Sequence, residues 1–236
     1  QIPALMRLGV MPRPRWGWRH SGVRKILRLM VPTLIGSSVA QVNLLLDMVI
    51  ATFLVSGSVT WLYYSDRLLE FPLGVFGVAL STVILPNLSR KFAAQSPQAF
   101  SATLDWALRL ALIITLPAAL GLAVLAKPIL ITLFQYQAFA LSDVEMSALS
   151  LAAYATGLPA FIAVKVLAPG YYARQDTKTP VKIAITAMVS NMLLNFLFVG
   201  TLVAMEFRGP HTGLALASSA AAYINAALLY RGLRRQ

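Results

Sequence analysis

Six apolar runs of roughly 20 residues recur along this chain, and each is long enough to cross a lipid bilayer as a helix. No other feature limits the fold so tightly. In hydrocarbon a backbone must satisfy its own hydrogen bonds, which leaves helices or a closed barrel. The runs are far too long for barrel strands, so the expectation is an all-α, polytopic transmembrane bundle. Composition agrees: of 236 residues, 58% are hydrophobic and 12% charged. A soluble domain carries about 25% charged residues.

Proline, glycine and polar breaks place the spans at about 24–54, 59–91, 101–125, 146–172, 181–205 and 213–230. A short surface helix fits 129–136. Residues 1–23 read as a basic interfacial approach anchored by Trp16 and Trp18. This start has no initiator Met and no signal-peptide core, so the chain reads as a segment of a longer protein.

The net charge of +12 would suggest a nucleic-acid partner in a soluble chain. Here the cations sit at span ends instead, which excludes that reading. With the first residue placed in the cytoplasm, inside loops and span ends hold Arg7, Arg13, Arg15, Arg19, Arg24, Lys25, Arg28, Arg90, Lys91, Arg109, Arg174, Lys178, Lys182, Arg231, Arg234 and Arg235. Outside loops hold Lys127 and Arg208. The bias puts both ends of the chain in the cytoplasm. Lys165 falls near the inner end of the fourth span, where it can snorkel to the headgroups.

Cysteine is absent, so no disulfide, thiolate nucleophile or zinc cluster is available. His20 and His211 fall in loops and suggest no metal site. There is no phosphate-binding glycine loop, HExxH or nucleophile elbow. The chain reads as a transporter rather than an enzyme, with no organic cofactor.

Ionisable groups inside spans are costly and usually face a cavity or a bundle interior. In WLYYSDRLLEFPLG (61–74), Arg67 lies roughly 12 Å below the outer end of its span by helical rise. Glu70, at i+3, shares its face and can pair with it; Asp66 lies beside that face. One reading is a neutral pair that fixes helix packing. The other is a polar patch in a substrate cavity, with Arg67 as a fork for phosphate. Pro72 and Gly74 follow at once, as a hinge or as a static kink.

A second group is looser. Asp47 stands alone in LLLDMVI on the first span, and Asn191 and Asn195 share a face of the fifth. With Ser218 or Ser219 and Thr212 of the sixth, they can form a hard-oxygen site for Na⁺. The asparagines can equally hydrogen-bond between helices. Asp105 and Arg109, at i and i+4, read as a surface pair.

Three passages, SGSVTWLYYSDRLLEFPLGVFGVALSTVILPNLSRKF (56–92), LFQYQAF (133–139) and KVLAPGYYARQDTKTPVKIA (165–184), resemble the MurJ/MviN lipid II flippases. That family belongs to the multidrug/oligosaccharidyl-lipid/polysaccharide exporter superfamily, and the likeness runs in order over essentially the whole chain. It implies two six-helix lobes plus a final helix pair, with this chain as the second lobe behind the inter-lobe loop. The implied activity is alternating-access transport of lipid II, a polyprenyl-diphosphate-linked disaccharide-pentapeptide, across the bacterial inner membrane for peptidoglycan synthesis. Implied partners are lipid II, membrane lipids, and the first lobe and last two helices of the same protein.

The resemblance maps a cavity arginine for the diphosphate onto Arg67, its acid onto Glu70 and a small hydroxyl onto Thr60. The sodium site of some members falls on Asp47, Asn191, Asn195 and, on the last span, near Leu214 and Ser218. Rival readings are a cation-coupled exporter of drugs or of other polyprenyl-linked oligosaccharides, a membrane enzyme acting on polyprenyl phosphates, and a non-transporting scaffold lobe.

Overall fold

The computed structural model describes residues 20–136 and 138–235, so the anchors expected at Trp16 and Trp18 lie outside the described residues. Among the described residues every regular element is helical. Six helices are long and apolar enough to cross a membrane: α1 (Ser21–Thr52), α2 (Ser58–Ala93), α3 (Pro97–Val124), α5 (Leu141–Ala173), α6 (Lys178–Ala204) and α7 (Thr212–Arg234). A short α4 (Ala126–Phe134) joins α3 to the loop before α5. The chain is therefore a polytopic helical membrane bundle. Arg90, Arg174 and Arg234 mark its basic end; the loops between α1 and α2, α3 and α5, and α6 and α7 form the other.

Local signals explain several helix ends. Proline opens α3, where its missing N–H would have had no partner anyway. Asp143 Oδ2 accepts the Ala140 backbone N–H at 2.9 Å and so caps α5. That cap starts α5 several residues ahead of the apolar run. Gly57 enters α2 with φ of +100°, a conformation that favours glycine.

Pro72 does not break α2. The helix widens immediately after it into a π-helical segment, Leu73–Val78, and then returns to α geometry. A π turn changes the helix's phase without ending it, and such turns are frequent at functional sites. The rewinding starts at the residue directly after the proline ring.

α5 is the central helix. It packs against α7, α3, α2 and α4, and most of its length is buried. Small residues allow close approach, as expected where lipid supplies no hydrophobic drive between helices. A β-carbon at Gly157 would meet Ser219 Oγ at 2.6 Å and Ser219 Cα at 2.8 Å. Three side chains lace the α5–α7 seam. Ser219 Oγ donates to Ala153 O at 3.0 Å, Tyr223 Oη to Thr156 O at 2.9 Å, and Tyr171 Oη to Leu229 O at 2.8 Å. By contrast α1 packs mainly on α6, touches α2 lightly, and leaves most of its surface open.

The non-basic end closes over a buried aromatic cluster. Trp61 Nε1 donates to Asp143 Oδ1 at 2.8 Å, and the Trp61 ring lies 4.8 Å from that of His211. His211 is fully buried; its Nε2–H donates to Met146 O at 3.2 Å, and Nδ1 has no partner. A residue read as a loop histidine is thus a packed one. Burial pushes its imidazole below its ordinary range, against the smaller opposing effect of the Met146 carbonyl.

The neutral ring's contribution is present above the ordinary histidine pKa of 6.5 and is lost as pH falls below it, because the unfolded chain takes up the proton first. In full-length protein, the thermal midpoint should therefore fall between pH 7 and pH 5, and fall less in His211→Gln. Parallel pH profiles for the two proteins would show that His211 is not the group responsible.

Candidate functional site

α1 and α2 part to leave a cavity of about 470 Å³, floored by Tyr154 and Phe161 of α5 and Ser218 of α7. Arg67, Glu70 and Asp66 line it from α2, and Asn43 and Asp47 from α1. The periodicity of α2 explains the placement. Leu62 and Leu69 are buried at the cavity's inner wall, while Tyr63, Arg67 and Glu70 are exposed along it and Asp66 is half-buried.

Arg67 Nη1 donates to Glu70 Oε2 at 2.8 Å, and the guanidinium lies 5.1 Å from the centre of the Tyr63 ring. Both side chains of the ion pair are 54% exposed, so the pair is neutral yet open. A guanidinium has five N–H donors in a fork, and one contact with Glu70 leaves others free for a planar or tetrahedral oxyanion. Asp66 is half-buried beside this patch. Thr60 lies two turns nearer the non-basic end on the Arg67 face, exposed and outside the cavity lining.

The second constellation does come together. Asp47 Oδ1 accepts from Asn195 Nδ2 at 2.6 Å. Its Oδ2 accepts from Ser218 Oγ at 3.2 Å, Asn43 Nδ2 at 3.3 Å and Asn191 Nδ2 at 3.4 Å. Asn191 Nδ2 also donates to Asn43 Oδ1 at 2.9 Å. Two oxygens are left buried without a partner: Asn191 Oδ1 and Asn195 Oδ1. Leu214 stands one turn from Ser218 with its side chain fully buried in the apolar core. Ser219 turns away to bond α5, and Thr212 is buried at the mouth of α7.

Two groups escaped the sequence reading. Asn43 is one turn before Asp47, a spacing that could have revealed it. Tyr154 had no such signal, because a tyrosine in an apolar helix reads as core. It lies within electrostatic reach of both Asp66 and Asp47 and joins the two constellations. The Asp105–Arg109 pair forms at 2.8 Å on the exposed surface. Among the described residues no three His, Asp or Glu side chains converge on one point.

Comparison with known proteins gives a consistent picture. The family model described as "Lipid II flippase MurJ" matches residues 1–236. A protein of Vibrio cholerae serotype O1 named "Probable lipid II flippase MurJ" is 55% identical over 236 residues, covering 100% of this chain and 44% of its own length. A solved structure of a lipid II flippase MurJ in an inward closed conformation superposes with a TM-score of 0.76 at 30% identity, covering 91% of this chain and 45% of that one. An outward-facing multidrug resistance transporter of the MATE family shares the fold at a TM-score of 0.77 and 15% identity, covering 95% and 49%. The chain spans less than half the length of the curated relatives it matches.

Proposed function

Because this chain belongs to the lipid II flippase MurJ family, we propose that it forms one lobe of a transporter that carries lipid II from the inner to the outer leaflet of the bacterial inner membrane. The observation that carries this reading is Arg67, an open guanidinium fork inside a membrane-level cavity. A lipid-linked diphosphate must move its charge through a layer of low dielectric. A cation already held by a carboxylate can offer its remaining N–H donors to the diphosphate, and the carboxylate neutralises it again when the diphosphate leaves. Arg67 binds the diphosphate, Glu70 receives the guanidinium back on release, and Asp66 keeps the patch polar.

In this reading the basic end faces the cytoplasm, by the bias of lysine and arginine. The other lobe and the final helix pair of the full-length protein supply the opposite cavity wall and the lipid-tail path. Alternating access then opens the cavity first to one leaflet and then to the other. Membrane lipids bathe the outer faces, and nucleic acid plays no part.

The Asp47 group fits a bound Na⁺. Turning the two asparagine amides about their last bonds exchanges Nδ2 for Oδ1, which would present two amide oxygens beside the carboxylate and the Ser218 hydroxyl. Those oxygens are the atoms left without partners, and a set with one negative charge balances a monovalent cation. When bound, Na⁺ supplies charge neutrality at Asp47. Leu214 has no oxygen but its carbonyl to offer, and Thr60 stands aside from the diphosphate patch.

One assay tests both parts. Spheroplasts depleted of the full-length protein should lose lipid II from the outer leaflet and regain it on re-expression; unchanged exposure of lipid II after depletion overturns the transport reading. Asp47→Asn should restore translocation that no longer responds to external Na⁺. An Asp47→Asn response equal to the native one removes the ion site.

A further inference from the structure

The Arg67 cavity has two neighbours along the lobe. Leu73 and Phe161 line both it and a second cavity of about 300 Å³. Val164, Lys165 and Asn225 line that second cavity and also a third of about 410 Å³ toward the basic end. The three are neighbours along the lobe, with Arg67 lining the first and Lys165 the other two.

Lys165 sits eight residues before the end of α5 at Ala173, roughly 12 Å from that end by helical rise. It stands eleven residues past Tyr154, the floor of the Arg67 cavity, or about 16 Å further along α5. Its ammonium makes no ion pair or hydrogen bond among the described residues. An unpaired cation at membrane depth is costly and calls for a counter-ion.

The π-helical segment of α2 gives it room. A β-carbon at Gly77 would lie 3.5 Å from Lys165 Cγ, so the lysine stem runs across the bare backbone of that segment. A larger residue there would crowd the stem. The sequence suggested a lysine reaching the headgroups; its exposed side chain also lines two cavities bounded by α1, α2, α5, α6 and α7.

We propose that Lys165 is a second phosphate station of the lobe, binding lipid-linked phosphate oxygens on the basic side before they reach Arg67. The inference rests on the reading of the Arg67 cavity as the substrate's. Arginine's planar fork suits the holding site, whereas a mobile point charge on a long stem suits a transfer site. The same chemistry could come from two sources, a polyprenyl diphosphate in transit or a phospholipid headgroup of the inner leaflet.

The test is binding to full-length protein in detergent, using undecaprenyl diphosphate, undecaprenol and phosphatidylglycerol as separate probes. Lys165→Gln should weaken undecaprenyl diphosphate by roughly 3- to 10-fold, as for loss of one partly solvated charge-assisted contact. Undecaprenol binding should not change, and Lys165→Arg should keep most of the native affinity, which separates a charge effect from misfolding. A loss confined to the diphosphate assigns the station to the transported lipid, and an equal loss for phosphatidylglycerol assigns it to the headgroup. Native affinity for both in Lys165→Gln overturns the station. If Arg67→Ala also binds the diphosphate normally, the reading of the Arg67 cavity falls with it; if Arg67→Ala alone is impaired, only the Lys165 proposal fails.

Discussion

Full-length protein carrying Arg67→Ala should fold, reach the membrane at native levels and move lipid II far more slowly. Folding should survive because Arg67 and Glu70 are half-exposed and pair only with each other's helix, so no buried charge is abandoned. Transport should drop, because the cavity lining then holds no cation and keeps three acids, Asp47, Asp66 and Glu70. Translocation should fall by roughly 10- to 100-fold, the range for losing a charge-assisted hydrogen bond to phosphate. Arg67→Lys should recover part of it, since an ammonium keeps the charge without the fork. Glu70→Gln should bind substrate and release it slowly, because the guanidinium loses the carboxylate it returns to. The measurement is outer-leaflet lipid II at matched expression, with growth as the second readout. Native translocation by Arg67→Ala would remove the phosphate fork from the mechanism.

The second large effect is structural. Gly157→Val should destabilise the whole lobe, since its side chain would enter the α5–α7 seam where Ser219 Oγ and Cα already stand within 2.8 Å of an added β-carbon. Overpacking of this kind costs about 1–3 kcal/mol, and Val should lie at or above the top of that range. Gly157→Ala should show a smaller loss of the same sign. Ser219→Gly in the Gly157→Ala background should rescue only part of it. That change removes the hydroxyl and also the Ser219–Ala153 hydrogen bond, but leaves the backbone carbon in place. The thermal midpoint and folded yield of full-length protein report the result. An unchanged midpoint in Gly157→Ala would mean that the seam is looser than its geometry implies.

Much of this was legible in the sequence, and the limits have physical causes. Apolar run length alone locates the spans, because hydrocarbon leaves so few alternatives. Helix ends are less legible: α5 starts early because Asp143 caps it, and a carboxylate at that position looks like loop until its partner N–H is seen. Pro72 marks an irregularity, but whether a proline kinks a helix or is taken up by a π turn depends on neighbours.

Arg67 with Glu70, and Asp47 with its asparagines, could be found because charge and amide groups stand out against hydrocarbon and their spacing fixes a face. Tyr154 and His211 could not. An aromatic in an apolar helix and a histidine in a loop look alike whether they floor a cavity, close a lid or do nothing. Thr60 and Leu214 came from family likeness alone: Thr60 lies outside the lining of the Arg67 cavity, and Leu214 is buried one turn before Ser218.

α1 is the least embedded helix of the lobe, yet it carries Asp47, whose carboxylate reaches Asn191 and Asn195 of α6 and Ser218 of α7. Those contacts act as a clasp holding a loosely seated helix to its neighbours. Losing any one of those contacts should loosen α1, the helix that forms one wall of the Arg67 cavity.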